Sequence, residues 1–267
     1  MKRSNRIGLP SGAAVCAALA MAIVLGLAPR AKAQMYQNQP FDAAAAALPT
    51  NFYGYDPEAF VEGYEDMSAK QQRDRQKGEF ETTEAYEKRL KGLDASDPFT
   101  GGTYAFGAAP TALSYDADTQ TFTLGFSPSP GPVSGVDNWT HYASVLLKNG
   151  AKDMGHYQAE NGFGAVFRVE RSLFSSYYLM LSITKGPIVC TASVKVPIAD
   201  AKDLKPDIRA ILIVRPAPPY VNVDSSVTEA TFTDPSENTA KTAAIFGRLQ
   251  EVRFYDSRTG KALASCP

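Results

Sequence analysis

Apolar and polar residues alternate over much of the second half of the chain, which is the pattern of strands that bury one face. In the clearest run, every second residue from 188 to 198 is apolar, and Thr191, Ser193 and Lys195 stand between them. Further strands are predicted at residues 112–115, 122–126, 163–169, 179–183, 208–214, 228–233, 250–255 and 262–266. Short helices are predicted between strands at 199–204 and 237–246.

Upstream of the strands, the apolar spacing becomes that of helices. Phe60, Tyr64 and Met67 recur at i, i+4 and i+7, and they follow Asp56 and Pro57, a capping residue and a proline suited to the first turn. A second stripe consists of Tyr86, Leu90 and Leu93, and Thr82 or Thr83 precedes it as a cap. We therefore expect an α+β fold, with N-terminal helices followed by a mainly antiparallel β-sandwich-like domain.

The first 33 residues have the three parts of a secretory signal peptide. A basic start at residues 2–6 is followed by an apolar run at 13–28 and then by Ala31-Lys32-Ala33, with small residues before Gln34. The apolar run is shorter than the roughly 20 residues that a membrane-spanning helix needs. We expect cleavage near Ala33 and a periplasmic or secreted protein. The alternative is an uncleaved N-terminus that anchors the chain.

Removal of residues 1–33 changes the charge of the protein. It takes away five basic residues and no acidic one, which leaves 22 basic and 28 acidic residues and a net charge of −6. This charge argues against nucleic acid or anionic lipid as the main partner, because both need a positive surface. Contact with a membrane is expected only through an uncleaved or tethering N-terminus.

Two cysteines, Cys190 and Cys266, remain after cleavage. An even number of cysteines in an exported protein indicates a disulfide. The bond would close a loop of about 75 residues and contribute about 4 kcal/mol of stability in the chain-entropy model. The alternative is two unrelated thiols, one buried in a strand and one on a frayed tail.

The composition divides the chain into four segments. They are a signal peptide at 1–33, a flexible leader at 34–55, a helical segment at 56–97 and a β-rich domain at 98–267. The leader is low in charge and rich in Gln, Asn, Ala and Pro, and it has no hydrophobic period. It can act as a tether or be a disordered terminus.

Residues 78–89, GEFETTEAYEKR, resemble a GEFET-x-EEY-x-x-R signature. That signature occurs upstream of a β-rich domain in uncharacterised exported proteins and lipoproteins of Gram-negative bacteria. Three later stretches, 161–165, 229–235 and 255–261, are similar to the same group. The resemblance implies a periplasmic domain of unknown function and brings no catalytic residues with it. The simpler interpretation of the segment is a capped helix docked on the sheet.

Candidate catalytic chemistry is sparse. The chain has two histidines, His141 and His156, and either can form a dyad with Asp137, Asp153 or Glu160. No nucleophile elbow is present, and two isolated histidines are too few for a zinc site. We therefore predict no catalytic residue, no metal ligand and no cofactor.

An aromatic surface is the best candidate for binding. It consists of Trp139, Tyr142, Tyr157, Tyr177 and Tyr178. These side chains can equally pack in the core. The favoured function is a non-enzymatic binding or protein-interaction module for an unknown protein or small ligand of the cell envelope. One alternative is a hydrolase that uses carboxylates or the His141/His156 region, and another is a structural envelope component.

Overall fold

The computed structural model describes residues 36–42, 45, 47–74, 76–95 and 102–267. The predicted signal peptide at 1–33 lies outside these described residues. Within them, no helix combines the length and the apolar character that crossing a membrane requires.

Two helices precede the sheets, as the apolar stripes predict. They are α1 at Pro57–Asp74 and α2 at Thr83–Ala95. Asp56 caps α1, because its carboxylate accepts a 3.1 Å hydrogen bond from the backbone N–H of Glu58. Thr82 caps α2 through a 3.2 Å bond from the N–H of Ala85. In each helix, a backbone N–H of the first turn, which has no partner within the helix, is thus bonded by the side chain of a predicted capping residue.

Nine strands and a further helix follow within the described residues. The strands are β1 Tyr104–Ala108, β2 Ala112–Asp116, β3 Thr121–Phe126, β4 Tyr142–Glu160, β5 Val166–Ser182, β6 Cys190–Lys195, β7 Ile208–Thr228, β8 Ser236–Asp256 and β9 Ala262–Cys266. The helix α3 spans Ile198–Leu204, where a short helix is predicted. Single 3-10 turns lie at Trp139–His141 and Lys205–Asp207.

The strands form two sheets. The larger has the order β1-β7-β8-β5-β4, with β9 also paired to β8, and the smaller has the order β2-β3-β6. All pairs are antiparallel except β5 with β8, which run parallel. The α+β expectation is confirmed, since the chain is mostly strand with few helices. A β-sandwich is not confirmed, because the large sheet is mixed and curls like a half-barrel.

The main core lies between the two sheets and the first turns of α1. Fully buried side chains from each contribute to it, among them Phe60, Phe106, Phe122, Leu179 and Phe254. A disulfide between Cys190 on β6 and Cys266 on β9 links the two sheets, with an S–S distance of 2.05 Å and 5.8 Å between the Cα atoms. The predicted cysteine pairing is thus present, and Cys190 is buried as its place in the alternating pattern predicts.

The described part of the predicted leader packs against the large sheet. Phe41, Leu48 and Phe52 are buried in a small core that also holds Tyr255 of β8. The phenol of Tyr255 donates a 2.5 Å hydrogen bond to the carbonyl of Phe52. These residues therefore behave as a strap across the sheet rather than as a free segment, because their three large apolar side chains are removed from water.

Two secondary-structure predictions are wrong. Residues 237–246, predicted as helix, belong to β8. Of residues 228–233, predicted as a strand of their own, Thr228 ends β7 and residues 229–233 lie in the turn between β7 and β8. The segment from Asn238 to Gly247 is paired with β7 on one side and β5 on the other. Two ladders of backbone hydrogen bonds override the helix propensity of its alanines and lysine, because propensity is a weak preference that tertiary pairing outweighs.

Two long hairpins, β4–β5 and β7–β8, extend past the core as a four-stranded arm. Residues 149–158 of β4 are all exposed. Most of the exposed large apolar side chains lie on this arm: Met154, Tyr157, Phe163, Val166, Phe174, Val227 and Phe232. Alternation of apolar and polar residues therefore continues here, although most of the apolar side chains named above are exposed and Val169 is buried.

Candidate functional site

The pairing of β8 is interrupted along one edge. On this edge, β5 pairs with β8 as far as Leu181 opposite Gly247, and pairing with β9 starts only at Val252, opposite Cys266. Residues 248–251 therefore have no strand partner on this side among the described residues, although β7 pairs with β8 along the other edge. Since β5 runs parallel to β8 and β9 antiparallel, their last residues face each other across the gap.

A cleft of about 800 Å³ opens at this gap. Its wall is formed by β8 from Phe246 to Val252, by the loop that follows β5, and by the disulfide between Cys190 and Cys266. Ile188, Val189, Phe246 and Leu249 give the wall an apolar component. The volume is within the range that small-molecule sites and short peptides occupy. We call this space the β8 cleft.

Two cationic side chains line the β8 cleft, and no side-chain carboxylate or imidazole does; Pro267, the last residue of the sequence, lines it as well. Lys185 and Arg248 are exposed there, and neither is part of an ion pair within the described residues. Arg248 also lies directly opposite Arg215 in the β7–β8 register. The two cationic side chains of the lining, Lys185 and Arg248, therefore favour an anion in the cleft.

Polar groups of the β8 cleft have few protein partners. The Gln250 amide donates long hydrogen bonds to the carbonyls of Arg248 and Leu249, at 3.3 and 3.4 Å. The hydroxyls of Ser182 and Thr184 lie 3.2 Å apart. A ligand can therefore replace water at backbone and hydroxyl groups without breaking a strand ladder.

A smaller cavity of about 400 Å³ lies on the other side of Tyr142 and Phe246. These two rings line both spaces and meet edge-to-face at 5.2 Å between centroids. The small cavity is framed by Asn138 and by the irregular segment of β7 that ends at Tyr220. Both of those residues have positive φ, 55° and 67°, a backbone conformation that non-glycine residues seldom adopt.

The five predicted surface aromatics do not form one surface. Trp139, Tyr142 and Tyr178 pack together around a small apolar cluster beside the small cavity. Tyr177 is buried on the opposite face of β5. Tyr157 lies on the arm, where its hydroxyl donates a 3.1 Å bond to Glu237. Successive residues of a strand point to opposite faces, which separates Tyr177 from Tyr178.

The two histidines are also far apart. His141 lines the small cavity with Asp137, whereas His156 lies on the arm opposite Glu170. At about 3.3 Å per residue, roughly 45 Å of strand separates them. Both are exposed, and within the described residues no side-chain hydrogen bond or ion pair joins either to an acid. They do not share a site.

A charged cluster that the sequence does not reveal lies at the base of the arm. The ammonium of Lys148 contacts Asp56 at 3.0 Å and Glu58 at 2.7 Å, and the rings of Tyr36 and Tyr177 lie within 6 Å of it. Burial opposes the charged form of Lys148, but the two carboxylates outweigh it and raise its pKa. A lysine that stays protonated is no nucleophile, so the cluster ties the start of α1 to β4.

The contacts within this cluster also shift the pKa values of Glu58 and Tyr177. The hydrogen bond from Lys148 lowers the pKa of Glu58. Burial, with the negative charge of Glu58, raises the pKa of Tyr177 to about 12. No signal in the sequence pairs a lysine in a strand with helix-start acids some 90 residues away.

The segment with the GEFET-like signature forms the start of α2 and is held by hydrogen bonds within the segment itself. Glu81 accepts bonds from the guanidinium of Arg89 at 2.8 and 2.7 Å and from the N–H of Gly78 at 3.2 Å. The Arg89 interaction lowers the pKa of Glu81 to about 2. Phe80, between these residues, is 95% exposed. The geometry accounts for the glycine, glutamate, threonine and arginine of the signature through local hydrogen bonds.

No group of three or more metal-ligating side chains is gathered anywhere in the described ranges. Comparisons of the chain with protein-family models, with curated proteins and with solved structures found no match.

Proposed function

We propose that this chain is an exported, non-enzymatic binding module and that the β8 cleft is its ligand site. The observation that carries the proposal is the gap at 248–251, where one edge of an internal strand has no strand partner. Free strand edges in folded proteins are normally blunted or covered, because they bind other chains. This free edge is short and lies between the ends of two strands. Only a small or narrow ligand can therefore reach it.

Export is the second part of the proposal. It is supported by the three-part pattern of residues 1–33 and by the cysteine pair at disulfide distance, which is compatible with an oxidising compartment. We place the protein in the periplasm or outside the cell after cleavage near Ala33. The GEFET-like signature supports membership of the group of envelope proteins that it resembles.

The chemistry of the cleft supports binding over catalysis. Its lining has a lysine, an arginine and hydroxyls, but no pair of groups at hydrogen-bond distance in which a base faces a nucleophile. The competing proposal, a hydrolase, would use the small cavity, where His141 and Asp137 both lie. A purely structural role in the envelope would leave both spaces empty of ligand.

The proposal is tested by filling the cleft. Thr184→Trp places a large ring on the exposed wall of the β8 cleft, and Thr123→Trp places the same ring on the exposed face of β3, outside it. The full-length gene product is labelled with ¹⁵N, purified with its disulfide intact and titrated with an equimolar pool of N-acetylated tetrapeptides, half with free and half with amidated C-termini.

We expect the amide resonances of residues 248–251 and of the 182–189 loop to shift in the natural protein and in Thr123→Trp. Thr184→Trp should abolish these shifts. If the natural protein shows no shifts there, or if Thr184→Trp leaves them intact, the cleft is not the ligand site.

A further inference from the structure

We infer that the β8 cleft recognises the carboxylate end of a short extended peptide, which runs antiparallel to β8. This inference rests on the proposed function and names the class of ligand for the same site. It combines three observations: the length of the free edge, the position of the two cations along it, and the apolar wall beside it.

The length of the gap sets the size of the ligand. Five residue steps separate Gly247, the last β8 residue paired with β5, from Val252, the first paired with β9. The bulge in β8 shortens this stretch, because the facing part of β7 advances by only four residues, from Pro216 to Leu212. At about 3.3 Å per residue the gap is roughly 13 Å long, enough for the last two or three residues of an extended chain. Because β5 and β9 close its two ends, a long chain cannot pass straight through in register with β8, whereas the end of a chain fits.

The cations set the direction of the ligand. Arg248 directly follows Gly247, and Lys185 follows the end of β5, so both lie at the β5 end of the gap. Neither has an acidic partner within the described residues. A ligand carboxylate at that end can form ion pairs with both cations, and a guanidinium binds a carboxylate through two parallel hydrogen bonds. A peptide with its C-terminus there runs antiparallel to β8.

Binding along a strand edge uses backbone groups for affinity and side-chain pockets for selectivity. The backbone of residues 248–251 offers the donors and acceptors that pairing with β7 leaves over, and the Gln250 amide makes long bonds to two of its carbonyls. Ile188, Phe246 and Leu249 supply apolar contacts. We therefore expect a ligand with small apolar side chains and a free terminal carboxylate.

The test uses three probes and the full-length protein with its disulfide intact. The probes are an N-acetylated tetrapeptide of alternating valine and alanine with a free C-terminus, the same peptide with an amidated C-terminus, and sodium acetate. The Kd of each is measured from the amide shifts of residues 248–251. Arg248→Gln and Lys185→Gln remove the charges, and Lys195→Gln on the exposed face of β6 is the matched control.

We expect the acid peptide to bind at least about tenfold more tightly than the amide, which is the range of a charge-assisted hydrogen bond. Arg248→Gln and Lys185→Gln should each weaken binding of the acid about five- to tenfold and leave that of the amide unchanged. Lys195→Gln should match the natural protein, and acetate should bind far more weakly than the acid peptide.

The outcomes separate this inference from the proposed function. Equal binding of acid and amide peptides overturns carboxylate recognition and leaves the cleft as a binding site. If acetate binds as tightly as the acid peptide, the cleft is a site for small anions, and the inference that it recognises a peptide is wrong. Shifts at residues outside the cleft, or no shifts with any probe and with the tetrapeptide pool, overturn the proposed function as well.

Discussion

The ammonium of Lys148 lies 2.7 Å from a carboxylate oxygen of Glu58, although 90 positions separate the two residues. The contact joins the first turn of α1 to the middle of β4, and Asp56, the cap of the same helix, completes it. One lysine thus holds both the cap and the first turn of α1. Removing it should loosen the helix from the sheet.

Lys148→Met keeps the length and apolar stem of the side chain and deletes its charge. We expect the free energy of unfolding to fall by about 1–2 kcal/mol, because partly exposed carboxylates lose their charged hydrogen-bond donor. Urea unfolding followed by circular dichroism measures the change. Lys202→Met on α3, an exposed lysine that forms no ion pair with another described residue, should change stability by less than about 0.5 kcal/mol. Equal losses in the two variants would contradict the role of the cluster.

Acid should weaken the same contact. The pKa of Glu58 lies below its ordinary value of 4.5 in the folded protein, chiefly because of the hydrogen bond from Lys148. A lowered folded-state pKa gives stability that is present above the ordinary value and is lost as the pH falls through the folded-state value. Stability of Glu58→Gln should therefore fall less than that of the natural protein between about pH 5 and pH 3. Glu65→Gln, on the exposed part of α1, should follow the natural protein; parallel curves for all three would refute the assignment.

The strap, which consists of the described residues between 36 and 52, should depend on Tyr255. Its phenol is fully buried and donates to the carbonyl of Phe52. Tyr255→Phe leaves that carbonyl without this donor and should cost about 1–3 kcal/mol. Limited proteolysis should then cut within residues 36–52 sooner than in the natural protein. Unchanged cleavage would show that Phe41, Leu48 and Phe52 hold the strap by packing alone.

The disulfide should matter for stability and for the cleft. The double variant Cys190→Ala/Cys266→Ala should lose about 4 kcal/mol in the chain-entropy model, because the bond closes a loop of 76 positions. Since Cys266 opposes Val252 at one end of the β8 gap, the amide protons of β9 should also exchange faster with solvent. A loss below about 1 kcal/mol would mean that the sheets hold each other without the bond.

The export proposal predicts the N-terminus of the natural protein. Edman degradation or intact mass of the protein from the producing cell should show a chain that begins near Gln34. A chain that retains Met1 and is recovered from the cytosol would contradict the signal peptide, and it would remove the reason to expect a disulfide in the cell.

Features that depend on neighbours in the chain follow from the sequence alone. The caps at Asp56 and Thr82, the alternating strand at Cys190–Lys195 and the strand Ala262–Cys266 lie where the sequence predicts them. Each is decided within a few residues by capping, turn chemistry or a period of two. The pairing of Cys190 with Cys266 was also predicted from their number, since the predicted cleavage leaves two cysteines, which can form one bond.

Features that depend on distant partners were decided by the tertiary structure. Residues 237–246 are strand because β5 and β7 pair with both their edges, and β4 is a strand because β5 pairs with it. The same long-range pairing leaves the gap at 248–251 and brings Lys148 to Glu58. Local propensity carries no information about which strand ends meet beside β8, so neither the cleft nor the charged cluster can be predicted without the fold.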